Sequence, residues 1–220
     1  MATAVPAERD AVASGLPGDG PTGPRIDVLA AGVGPAAAAA ATAAALAAAA
    51  ADGDPYDLVV SAGIGGGFQP AAPVGSLVVA DAITAADLGA ETPDGFVPVT
   101  GLGFGRDSHE PPASLVRALA AATGAATGTV LTVSTVTGSA ERTAELSGRH
   151  PRALAEAMEG FGVAEAAAAV GGLPVLEVRA VSNAVGPRDR DAWRIGAALA
   201  ALTSAFGKFP HVVEGWNRHD

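Results

Sequence analysis

Three features of the 220-residue sequence predict an α/β fold of three layers, α/β/α, around a central mixed sheet that is mostly parallel. Short β-branched runs bounded by Gly, Pro or Asp alternate with helix-forming stretches, the order that puts helices on both faces of a sheet. The runs are near-continuously apolar rather than strictly alternating, as in strands covered on both sides. Hydrophobic residues make up 49% of the chain, enough to bury one core, since single cores stop growing only near about 250–300 residues. No internal repeat or linker divides residues 1–220, which read as one domain.

Taken in order, Glu8–Leu16 reads as a helix and Ile26–Ala30 as a strand. Pro35–Ala51 is almost pure alanine. Alanine is barely hydrophobic, and Asp52 and Asp54 follow at once, so this is a buried helix rather than a membrane span. Strands follow at Asp57–Ser61 and Ser76–Ile83, then a Gly-, Pro- and Asp-rich excursion at Ala86–Pro111. A loop of that length serves a site or an interface. Next come helix Pro112–Ala122, strand Thr129–Ser134 and helices Ala140–Leu146 and Pro151–Val170. Strand Val175–Ser182 and helix Asp189–Lys208 complete the series. Pro35, Pro112 and Pro151 each fall in a first turn, where a helix accepts proline.

Composition excludes several functions. Without cysteine there is no disulfide scaffold and no thiolate site, which suits a reducing cytoplasm. The 13 basic against 23 acidic residues, with Lys208 the one lysine, give a net charge of −10. Nucleic-acid binding needs clustered cations, so none is expected. Met1–Asp10 lacks the basic start and apolar run of a secretory signal.

Five segments carry chemistry. Gly32-Val33-Gly34-Pro35-Ala36-Ala37 approaches a dinucleotide fingerprint. That fingerprint also needs an acid at the far end of the next strand, and Asp57 precedes it instead. The run Ser61–Gly67 suits either close ligand approach or a tight turn. In the expected helix Pro151–Val170, Glu156 and Glu159 would share a face. Glu156 reads there as a solvated charge, whereas Glu159, beside Met158 and Gly-Phe-Gly, is an acid at an apolar site that needs a reason. Asn183 ends an apolar strand at the sheet edge where such folds bind ligands, or it caps a turn. Glu8 opens a helix, where the dipole favours an acid in any case.

Together these segments resemble the purine nucleoside phosphorylase and nucleosidase superfamily, in particular its futalosine hydrolase branch. The matching stretches are Ala4–Glu8, Ala31–Gly34, Ser61–Gly67, Pro73–Asp81, Asp87–Phe96, Glu156–Gly160 and Val178–Asn183, in the family's order. Met1-Ala2-Thr3 leaves little room for the family's first strand. The resemblance implies cleavage of an N-glycosidic bond to a purine, without cofactor or metal. Its catalytic positions fall on Glu8, which orients or deprotonates the water, Glu159, which accepts from the ribose hydroxyls, and Asn183, which faces the base. Substrate contacts are implied for Ala62, Gly63, Ile64, Val136, Thr137, Met158 and Phe161. Relatives carry Ser where Ile64 stands. A homo-oligomer is implied as well, with Phe104 or His109 as candidates to close a partner's pocket and Arg106 for a substrate carboxylate.

Asn183 carries the most information. Adenine-cleaving relatives have Asp at this place. A carboxamide cannot protonate N7, but its NH₂ can donate to a carbonyl O6 while its oxygen accepts from a protonated N7. A 6-oxopurine fits that pattern, and a 6-aminopurine opposes it. The family sharpens this to futalosine, yielding hypoxanthine and dehypoxanthinyl futalosine for menaquinone biosynthesis. Phosphorolysis would need arginines for a dianion, and Asp57–Gly67 holds no basic residue. Water is therefore the expected nucleophile. A thionucleoside or inosine nucleosidase, a phosphorylase, and a non-catalytic purine-binding domain are the alternatives.

Overall fold

Side chains along the central strands divide between two cores: Val59, Val78 and Val181 join one, and Val60, Val79 and Val178 the other. This follows from the two-residue period of a strand buried on both faces. The computed structural model describes residues 1–17, 24–214 and 216. Its strands are β1 (Ala2–Thr3), β2 (Leu29–Ala30), β3 (Val59–Gly67), β4 (Leu77–Ala85), β5 (Gly89–Thr92), β6 (Gly95–Pro98), β7 (Ser108–His109), β8 (Ala126–Thr132), β9 (Ala153–Ala157) and β10 (Val175–Ala184). The helices are α1 (Pro6–Gly15), α2 (Pro35–Ala51), α3 (Ala113–Thr123), α4 (Ala140–Arg149), α5 (Gly160–Ala169), α6 (Ile195–Phe206) and α7 (Phe209–Val213). Among the described residues no helix is long and apolar enough to cross a membrane.

Alanine-rich α2 and α5 cover one face of the sheet, with Ala38, Leu46, Val163, Ala164 and Ala167 in its core. Val12 of α1, Leu115 and Leu119 of α3, and Leu202 and Phe206 of α6 fill the other. The sheet is mixed and mostly parallel, as expected. Five strands close into a ring in the order β3, β10, β4, β8, β9 and back to β3. β3 runs parallel to β10 along its whole length. On its other side it meets β1 at Ser61 and β9 at Gly66 and Gly67. The excursion after β4 contains the hairpin β5–β6 and the short strand β7, which pairs with β4.

Three expectations are corrected. Residues 151–170 are not one helix: Ala153–Ala157 is a strand inserted between β8 and β3, and only Gly160–Ala169 is helical. The alanine-rich segment has the propensity of a helix, but a gap in the ring that needs two ladders of backbone hydrogen bonds overrides it. The glycine run, likewise, is the second half of β3 rather than a tight turn. A Cβ at Gly65 would lie 2.8 Å from the Glu156 carbonyl oxygen, and one at Gly67 would run into the Ala72 carbonyl. These glycines allow strands to approach. Gly67→Ala is expected to destabilise the protein by about 1–3 kcal/mol, as overpacking of a tight interior does, which a chemical-denaturation midpoint will report. The expected helix Asp189–Lys208 resolves into a 3₁₀ turn at Arg190–Ala192 followed by α6.

Candidate active site

The carboxyl ends of β3, β9 and β10 surround a cleft of about 270 Å³, completed by the start of α1, the turn before α2 and the loop after β8. Such an edge is where open α/β sheets place ligands.

Glu8 reaches it from the first turn of α1 and is buried. Its Oε2 turns back to accept from the Ala4 and Val5 N–H groups at 2.9 and 3.2 Å, half of a capping box. Oε1 accepts from the Ile64 N–H at 2.8 Å, which ties α1 to β3. Gly63 makes this possible, since a Cβ there would come within 2.7 Å of Glu8 Oε1 and 2.6 Å of an Arg179 nitrogen.

Glu159 is buried where β9 gives way to α5. One oxygen accepts from the Gly34 N–H at 3.3 Å; the other lies 3.3 Å from Arg179 Nη1. Gly34 of the Gly32–Ala37 segment thus serves this carboxylate. Both Gly32 and Gly34 have positive φ, 99° and 91°, which L side chains rarely adopt.

Arg179 is the hub beneath the cleft. It is 1% exposed, donates to Glu177 at 2.8 Å and to the Ser61 hydroxyl at 3.0 Å, and holds Glu159. Burial opposes its charge, but Glu177, Glu159 and Glu8 outweigh this and keep its pKa above the ordinary value. Burial pushes Glu177 up, with Arg179 pulling the other way.

Asn183 is half-buried at the end of β10. Its Oδ1 accepts from the Ser182 hydroxyl at 2.8 Å, and its Nδ2 donates to the Ala184 carbonyl at 3.0 Å. One amide proton and one lone pair remain for a ligand.

Of the residues expected from sequence, Glu8, Ile64, Val136, Thr137, Met158, Glu159 and Asn183 line the cleft. Ala62, Gly63 and Phe161 do not. Ala62 packs into the core beside α1 and α6, Gly63 makes room for Glu8 and Arg179, and the Phe161 ring lies tilted against that of His109, their centroids 5.4 Å apart. His109 Nε2 is 2.7 Å from Glu165, and Arg106 sits 3.6 Å from the same carboxylate, both outside the cleft.

Sequence reasoning missed four residues. Glu156 is no solvated helix charge: it is buried in β9 and lines the cleft. Its Oε1 accepts from the Thr137 N–H at 2.8 Å and its Oε2 from the Thr137 hydroxyl. Burial pushes its pKa up, and the two Thr137 bonds pull it back. Arg188 and Trp193 also line the cleft, the guanidinium 5.3 Å from the indole centroid. The role of Arg179 went unassigned, although Glu177 and Arg179 stand two apart in an apolar strand and so share a face.

The arrangement sets three buried carboxylates, Glu8, Glu156 and Glu159, and a neutral carboxamide around one small cleft. Such a set can favour a developing cation, position water and hydrogen-bond a leaving base. Comparison with known proteins agrees with this chemistry. Residues 20–209 match the family described as the Phosphorylase superfamily. A futalosine hydrolase of Streptomyces coelicolor is 71% identical over all of this chain and 98% of that protein. Another, from Acidothermus cellulolyticus, is 48% identical over 93% of this chain and 86% of that protein. Two solved structures share the fold at low identity. One is a Neisseria meningitidis 5′-methylthioadenosine/S-adenosylhomocysteine nucleosidase in complex with methylthio-immucillin-A, with TM-score 0.75 and 19% identity over 98% and 97% of the two chains. The other is a native futalosine hydrolase of Helicobacter pylori, with TM-score 0.72 and 18% identity over 97% and 95%. The chain therefore belongs to the phosphorylase superfamily and, within it, to the family of the futalosine hydrolases it matches.

Proposed function

We infer that this protein hydrolyses the N-glycosidic bond of futalosine, releasing hypoxanthine and dehypoxanthinyl futalosine on the route to menaquinone. The observation that carries the inference is full-length kinship, 71% identical, with a futalosine hydrolase. Incubation with futalosine, with and without phosphate, tests it. Hypoxanthine released in the absence of phosphate is the expected result, and release only in its presence would make the protein a phosphorylase.

The cleft supports a division of labour. Glu8, anchored through three backbone N–H groups, orients the attacking water and takes its proton. Glu159 accepts from the ribose hydroxyls and steadies the positive charge that develops on the sugar. Asn183 donates its free amide proton to O6 of the departing base. Asn183→Asp is expected to shift preference toward the 6-amino analogue of futalosine by at least about tenfold, because a mismatched polar pair is stranded in a buried site. The ratio of the two kcat/KM values checks this, and an unchanged ratio would remove Asn183 from base selection.

Exposed Val5, Val33 and Val136 lie at this cleft, and covering them favours a homo-oligomer, a dimer or a multiple of it, which light scattering will test. The cysteine-free composition supports a cytoplasmic enzyme.

A further inference from the structure

We propose that Glu156 is a second base-reading residue, accepting the N1–H of a 6-oxopurine on the opposite side of Gly66 from Asn183. The proposal deepens the futalosine reading above and rests on it.

Register brings the two side chains together. Gly66 of β3 is paired with Asn183 of β10 on one side and with Glu156 of β9 on the other. Residues paired in register project from the same face of a sheet. Two strand spacings, about 10 Å, separate the flanking backbones, and the residue between them has no side chain. A Cβ at Gly66 would lie 3.3 Å from Asn183 Nδ2 and 3.0 Å from Val185 Cγ2. The glycine thus leaves a floor on which a flat base can lie, and all three residues line the cleft.

The carboxyl group suits this task. Thr137 supplies one donor to each oxygen, and each oxygen keeps a further lone pair. Among the described residues Glu156 forms no ion pair, although it is only 6% exposed. A buried carboxylate without a cation is costly, and a donor arriving on the ligand would complete its set. A 6-oxopurine presents an acceptor, O6, beside a donor, N1–H. A 6-aminopurine presents the reverse, a donor beside a bare N1 lone pair that would face the carboxylate. Asn183 and Glu156 therefore read adjacent positions of one edge with opposite polarity, and selection by both exceeds what the carboxamide alone provides.

Two measurements test this. The first needs no variant: calorimetric titration of the unaltered protein with hypoxanthine and with 1-methylhypoxanthine, which lacks the N1 proton. Binding of the methylated base should be weaker by at least about tenfold, the scale of one hydrogen bond to a charged group; equal Kd values would overturn the proposal. The second is Glu156→Gln, whose amide can turn its NH₂ toward a bare N1. The ratio of kcat/KM for futalosine to that for its 6-amino analogue should fall at least about tenfold. A purely structural role through Thr137 would lower both substrates by the same factor and leave the ratio unchanged, which would also overturn the proposal. If the unaltered enzyme turns over futalosine normally, those outcomes sink only the role of Glu156. No turnover of futalosine would sink the functional reading and this proposal with it.

Discussion

Glu8→Gln is expected to lower kcat on futalosine by about 10²–10⁴-fold, the range over which a positioned general base contributes. The amide keeps the shape of the carboxylate but cannot take a proton from water. It must also place an NH₂ toward backbone N–H donors, since Ala4 and Val5 address one oxygen and Ile64 the other. The start of α1 is therefore expected to shift, and some stability will be lost with the activity. Steady-state kinetics alongside a thermal melt separates the two effects. A variant that keeps kcat within about tenfold of the parent would remove Glu8 from the chemical step.

Glu159→Gln is expected to lower kcat by about 10²–10³-fold, the scale of removing one preorganised electrostatic contact to a transition state. A ground-state contact would appear in KM, so the split between kcat and KM is the informative readout. Stripping a buried cation of its partner costs about 3–5 kcal/mol. The loss here should be smaller, because Glu177 remains 2.8 Å from Arg179. A protein that merely bound purines would show altered affinity in this variant and no turnover before or after the change.

The layers of the fold were legible because their cause is local. Continuous apolar runs such as Val175–Ser182 and proline-started helices such as Pro35–Ala51 fix their own structure. β9 was not legible: Ala153–Ala157 favours a helix on its own and becomes a strand only because β8 and β3 are unpaired on either side of it. That single change moved Glu156 from an exposed helix face to a cleft wall. The short strands β1 and β7 depend in the same way on partners distant in sequence. Within the site, Glu159 and Asn183 were visible as polar residues that break an apolar context. Trp193 and Arg188 were not, because the loop after β10 has no periodicity to announce which way it folds.

The ring of strands has a consequence for traffic. Because β3 is paired with β10 along one edge and with β9 at Gly66 and Gly67 on the other, and the five strands return on themselves, the cleft cannot widen by parting its floor without breaking a ladder. Ingress of a nucleoside and egress of its two products fall instead to the rim, to the segments carrying Val5, Val33, Val136 and Pro187–Trp193. The ring is the floor of the cleft, and the rim around it is made of loops and the start of α1.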